Sequence, residues 1–235
     1  MSTSTLRVMP SSPWPADPPV RRRPRSAQGR AREAHRRLGE EYPDAECALV
    51  HSNPFELLVA TILSAQCTDV RVNMVTPELF ARFPTAQDLV AADPAELEEL
   101  IRSTGFFRSK TRSLLGMAAD LAERHDGEVP SRMAELTALA GVGRKTANVV
   151  RSVALGEPGL PVDTHVGRLA RRLALTTEDD PVKVELELNP MIPAAERGLF
   201  SLRLILHGRQ VCVARTPRCG ECVLADFCPS ATLAV

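Results

Sequence analysis

Lysine is scarce in this chain: of 29 basic residues only Lys110, Lys145 and Lys183 are lysines, and the rest are arginines. A guanidinium stays protonated and cannot serve as an amine nucleophile. Any amine chemistry therefore falls on those three side chains or on the N-terminus. Aromatic residues make up only 4% of the chain, and no apolar run reaches the length a membrane span requires. A net charge is missing too, since 29 acidic groups cancel the 29 basic ones. The whole chain thus carries no field that would announce a polyanionic partner, and affinity for one must come from local clusters. Nothing at the start of the sequence reads as a secretion signal, so the six cysteines are not expected to form a disulfide framework. A cytoplasmic location is expected.

What is present divides into a tail and a helical body. Residues 1–26 hold six prolines, the run Arg21-Arg22-Arg23-Pro24-Arg25 and one acid, Asp17. That composition predicts a disordered basic arm that is either inert or DNA-attracting. Its lack of acids also suits an organelle transit peptide, but the prolines spoil the amphipathic helix such a peptide needs. From Ala27 to Glu41 the pattern is helical and charged. Pro54 opens a helix apolar almost all round. Further helices are expected at Asp69 to Arg82, Ala86 to Ala92, Pro94 to Arg102, Ser109 to His125, around Val162 to Leu173, and Pro193 to Gly208. No stretch shows convincing strand alternation, so the fold class expected is all-α, and 235 residues suffice for one large core or two small ones.

The chain is organised around Leu139 to Asp163. Gly141 and Gly143 bracket Val142, a spacing that permits a tight turn with bare amides facing outward. The helix starting near Arg144 turns its unsatisfied N–H groups and positive dipole end toward that corner, which suits a phosphate. Lys145 lies in its first turn, where a cation is disfavoured and a neutral, nucleophilic amine favoured. If that helix runs to Gly156 it climbs about 20 Å at ~1.5 Å per residue. The extended return through Pro158 and Pro161 reaches about 24 Å, enough to bring Asp163 back beside Lys145. Asp163 before Thr164 also reads as a plain helix cap.

Near the end the sequence reads Cys212-x6-Cys219-x2-Cys222-x5-Cys228. Four thiolates this close need a cation or cluster to hold them together. Zinc is one occupant, but its usual four-cysteine pattern is two close pairs. One close pair with two single cysteines suits an iron-sulfur cubane better. Cys47 and Cys67 stand apart and read as buried thiols.

The Gly-Val-Gly-Arg-Lys hairpin, the Val-Asp-Thr-His after it and the cysteine spacing together resemble the endonuclease III branch of the helix-hairpin-helix DNA glycosylases. The match runs from about Ala27 to Cys228. One departure stands in the hairpin, where the family favours proline before the first glycine and this chain has Ala140, which is expected to loosen the turn.

The resemblance implies two helical domains with DNA across the cleft, a central barrel at 47–157 and a 4Fe-4S domain formed by 26–46 plus 158–235, behind a tail at 1–25. It implies a monomeric bifunctional N-glycosylase and abasic-site lyase in a bacterial cytoplasm, associated with the nucleoid. Its partner would be double-stranded DNA carrying oxidised pyrimidines or abasic sites. Catalysis falls to Lys145 and Asp163, and the cluster to Cys212, Cys219, Cys222 and Cys228. DNA contact falls to Gly141, Val142, Gly143 and Arg144 of the hairpin and to Arg215 and Arg218 of the cysteine loop. Gln66 of Ser64-Ala65-Gln66 would fill the gap left by an extruded nucleotide, and Phe106 of Thr104-Gly105-Phe106-Phe107 would be an apolar wedge. On the residues alone, Gln66 is also an ordinary helix-end polar residue and Phe106 an ordinary core residue. A non-catalytic helix-hairpin-helix module and a monofunctional adenine glycosylase remain as alternatives.

Overall fold

A computed structural model describes residues 24–232. Most of the basic stretch expected to be a tail lies outside the described residues. The body is built from eleven α-helices, and no strand occurs among the described residues. In chain order they are α1 (Ala27–Glu41), α2 (Pro54–Leu63), α3 (Asp69–Arg82), α4 (Ala86–Val90), α5 (Pro94–Ile101) and α6 (Phe107–Arg124). They continue as α7 (Met133–Ala138), α8 (Arg144–Val153), α9 (Thr164–Arg172), α10 (Pro181–Leu188) and α11 (Arg197–Gln210).

The starts are set by local chemistry. Ser26, Asn53, Thr68, Thr85, Asp93, Asp163 and Asp180 each turn a side-chain oxygen onto first-turn amides of α1, α2, α3, α4, α5, α9 and α10. Such a cap is worth about 1 kcal/mol. Proline at N1 adds a preset φ to α2, α5 and α10, where its missing N–H costs nothing.

Buried apolar residues gather in two clusters. One runs from Leu49 to Val150 and includes Leu57, Leu58, Leu63, Leu97, Leu114, Met117 and Leu121. The other joins Ala31, Ala34 and Leu38 of α1 to Leu160, Val166, Leu169, Phe200, Leu204 and Phe227. Helix α1 is thus stitched to the far end of the chain. Arg30 reinforces it by donating to the carbonyls of Leu173 and Ala174 at the close of α9, at 2.7 and 2.6 Å. Each large aliphatic side chain buried in these clusters contributes about 1.5–3 kcal/mol.

Two features bring the ends of the central stretch together. Helix α8 stops at Val153, short of Gly156, which takes φ +66° and turns the chain back. The returning strand of backbone then passes so close to α8 that a Cβ on Gly159 would sit 2.5 Å from the carbonyl oxygen of Asn148. Buried Ser201 fixes the return by donating to the carbonyl of Pro161 at 2.5 Å.

Candidate active site and cluster loop

Helices α7 and α8 and the turn between them form a helix-hairpin-helix. Gly141 adopts φ +75°, and a Cβ there would meet Ser113 of α6 at 2.5 Å, so only glycine fits both the turn and the packing. The departure at Ala140 works opposite to expectation. Unlike proline it has an N–H, which donates to Asp120 Oδ2 at 3.0 Å and fastens the turn to α6. Gly143 leads into α8 with no side-chain cap, leaving the first-turn amides turned outward for an external acceptor.

Arg144 does not aim its side chain outward. Its guanidinium grips Glu185 of α10 through two bonds of 2.7 and 2.9 Å, and Asn148 donates to the same carboxylate at 2.9 Å. Glu185 holds the Arg144 guanidinium above its ordinary range. This clamp ties the hairpin to the second core, and its members Asn148 and Glu185 escaped the sequence reading. The Glu185 side chain is 6% exposed and that of Arg144 36%. Arg144→Met strands a buried carboxylate, whereas Glu185→Gln leaves a guanidinium that water still reaches. A thermal melt of the cluster-loaded protein should therefore show the larger loss for Arg144→Met. We expect about 5–10 °C there, the equivalent of about 2–3 kcal/mol in a chain of this size.

Lys145 is exposed, and it lines two adjoining cavities whose walls also include Asp163 and Arg209. Asp163 is half-buried and caps α9, its Oδ1 accepting from the amides of His165 at 2.8 Å and Val166 at 2.9 Å. The cap reading is thus realised, by a side chain that also lines the cavity with Lys145. The cap locks the carboxylate's orientation and sets its charge at a helix N-terminus, where a negative group is stabilised. Arg209, unforeseen in sequence, reaches across from α11 to Asp69 at the start of α3, 3.5 Å away, and closes the cavity wall. The other lysines are placed elsewhere. Lys183 pairs with Glu178 at 3.3 Å, and Lys110 is 4% exposed between two carbonyls.

The two loop tips expected to enter DNA share an unusual backbone. Gln66 and Phe106 are non-glycine residues at φ +52° and +49°, and both are exposed, Phe106 at 65%. A solvent-facing phenylalanine in a costly conformation serves no core.

The four clustered cysteines line a single cavity with Arg172, Val211 and Pro217. Four sulfurs around one shared space, one close pair and two single cysteines in sequence, fit a multi-iron cluster. Donors already face the sulfurs: Arg172 to Cys212 at 3.2 Å, His207 to Cys222 at 3.2 Å and the Leu224 amide to Cys222 at 3.4 Å. Burial lowers the His207 imidazole to about 4.

Arg168 and Arg172 of α9 anchor the loop. They donate to the carbonyls of Gly208, Cys212, Val213 and Ala214 at 2.7–3.3 Å. One short helix thus carries Asp163 at its start and the cluster loop at its end. Arg215 is exposed on that loop, and Arg218 pairs loosely with Glu221 at 3.4 Å.

These features define a helix-hairpin-helix DNA-repair protein. Residues 59–194 match the model of the HhH-GPD superfamily base excision DNA repair proteins, and residues 212–228 match the iron-sulfur binding domain of endonuclease III. Endonuclease III of Synechocystis is 54% identical, the alignment covering 88% of this chain and 94% of the relative. Endonuclease III of Escherichia coli K12 is 41% identical over 82% of this chain and 91% of its own length. A solved trapped covalent endonuclease III–DNA intermediate superposes with a TM-score of 0.82 at 45% identity, covering 86% of this chain and 96% of that one. The chain belongs to the endonuclease III family and carries a 4Fe-4S cluster, whose binding domain is matched at residues 212–228.

Proposed function

We propose that Lys145 and Asp163 carry out base removal and strand cleavage on double-stranded DNA bearing oxidised pyrimidines or abasic sites. The protein is a DNA glycosylase and abasic-site lyase of base excision repair, as its family membership establishes. The observation that carries the residue assignment is that Lys145 and Asp163 line the same cavity.

The two cores act as two domains, 47–157 and 26–46 plus 158–235, with DNA across the cleft. The damaged nucleotide leaves the stack at a cost of a few kcal/mol, with Phe106 wedged in the opening and Gln66 in the vacated space. Backbone amides of Gly141, Gly143 and Arg144 hold the phosphate chain, while the Val142 amide donates to the Leu139 carbonyl at 3.1 Å and closes the turn they share. Since the Arg144 side chain is engaged by Glu185, its main chain makes that contact. Arg215 and Arg218 add phosphate contacts from the loop that Arg168 and Arg172 anchor.

Asp163 takes the proton from Lys145 Nζ and stabilises cationic sugar character as the base departs. The free amine attacks C1′, and the glycosidic bond breaks with its electron pair leaving on the base. The sugar ring opens to a protonated Schiff base. That iminium draws electrons from the C2′–H bond, a proton leaves C2′, and the C3′–O bond breaks with the 3′ phosphate as leaving group. Water then hydrolyses the imine and frees the lysine.

We place the protein as a monomer with its DNA in the bacterial cytoplasm. In support, its matched relatives are bacterial, and no helix among the described residues is long and apolar enough to cross a membrane. A panel of single-lesion duplexes tests the substrate class. Oxidised pyrimidines should lose their base and the strand should be nicked. Release of adenine without nicking would favour the monofunctional alternative, and binding without either reaction a non-catalytic module.

A further inference from the structure

Lys110 is an unusual residue to find in a core. It sits on α6 with 4% of its surface exposed, and its amine donates to two main-chain carbonyls, Leu63 and Thr104, each at 2.8 Å. Burying an ammonium costs several kcal/mol unless something replaces its water. Here two helix ends do so. Leu63 is the last residue of α2, and Thr104 is the last of a 3-10 turn that continues α5. Carbonyls at such ends lack intrahelical donors and carry the negative pole of the helix dipole. Even so, burial pushes the Lys110 amine below the ordinary lysine range. An apolar side chain would fill the space without that burden, so stability alone does not explain the choice.

What the ammonium does that an apolar group cannot is join two segments. Leu63 leads directly into Ser64-Ala65-Gln66, and Thr104 leads directly into Gly105-Phe106. Both tips carry a non-glycine residue in the left-handed region, at a cost of about 1–2 kcal/mol each. Such conformations persist only where the surroundings over-determine them. A compact donor with three protons, held by both stems at once, sets the spacing and the angle between the tips.

We propose that Lys110 is a positioning residue that locks Gln66 and Phe106 into one two-pronged reader of opened duplex DNA. It touches neither DNA nor the reacting atoms and acts through the two loops. The proposal rests on the reading of Gln66 as gap filler and Phe106 as wedge. Its effect falls on the step that opens a paired site, not on Schiff-base chemistry.

The test uses full-length, cluster-loaded protein and two DNA substrates. One carries an abasic site in fully paired duplex; the other carries it in an unpaired bubble, where no opening is needed. Lys110→Met should lower kcat/KM on the paired substrate by about 10- to 100-fold, the cost of misplacing a preorganised contact by about 1 Å. On the bubble it should stay within about twofold of wild type, the scatter of uncoupled sites. Placed on a Gln66→Ala/Phe106→Ala background, Lys110→Met should add less than about twofold on the paired substrate, because the loops it orients have lost their tips.

Equal losses on paired and bubble DNA, or full additivity with the tip variants, would make Lys110 a generic structural residue and overturn the proposal. If Lys110→Met does not fold, Lys110→Gln, which keeps a donor for one carbonyl, carries the same comparison. Tip variants that behave as wild type on paired DNA would remove the wedge reading itself and the proposal with it. A working wedge indifferent to Lys110 would remove the proposal alone.

Discussion

Lys145→Gln should abolish the covalent protein–DNA adduct that borohydride traps on abasic-site DNA, down to the detection limit of the gel. Borohydride joins protein to DNA only by reducing an imine between them, and that imine needs a primary amine beside C1′. The chain offers three lysines, and the structure separates them sharply. Lys145 lines the cavity with Asp163, Lys183 is paired with Glu178, and Lys110 is enclosed in the core. Lys183→Gln should trap normally, and Lys110→Met should trap normally on an already opened site. Glutamine is only one atom shorter than lysine, stays polar and leaves the first turn of α8 intact, so binding to abasic DNA should persist while the adduct disappears. An adduct of normal yield from Lys145→Gln would remove the central assignment.

The helices that were legible in sequence are those whose signals agree. α1 has Ser26 as its cap, α2 has Asn53 and Pro54 in tandem, and α9 has Asp163. Two helices were not seen, for physical reasons. α10 reads Pro-Val-Lys-Val-Glu-Leu-Glu-Leu, a short exception to the general lack of strand alternation, and that pattern conceals its helical face. Only Val184, Glu185 and Leu188 are buried, the spacing of one helix side. Its Asp180 cap and Pro181 were the signals available. α7 is six residues long, too short for a periodic pattern. Tertiary partners of charged residues were illegible for a different reason. Arg144 with Glu185, Arg209 with Asp69, and Arg172 with the Cys212 loop join parts of the chain far apart in sequence, and no local pattern encodes such a pairing. The close approach at Gly159 that returns Asp163 toward α8 belongs to the same class. Chain length allowed that return, but packing decided it.

Asp163→Asn should separate catalysis from folding. Asparagine caps a helix about as well as aspartate, so the bonds from the His165 and Val166 amides to the side-chain oxygen survive the change. What disappears is the negative charge at the start of α9, worth about 0.3–1 kcal/mol of stability. The melting temperature should therefore fall by no more than about 1–4 °C, and affinity for abasic DNA should be retained. Chemistry loses far more. The neutral amide can neither take the proton from Lys145 nor face a cationic sugar with a full charge. Single-turnover base release should drop by about 10²–10⁴-fold, the usual worth of a positioned acid–base group. Capping and catalysis thus differ by several kcal/mol in one side chain, which makes the outcome decisive. Base release near the wild-type rate in the folded fraction, accompanied by a large loss of stability, would reduce Asp163 to a helix cap and return the proton transfer to another group in the cavity.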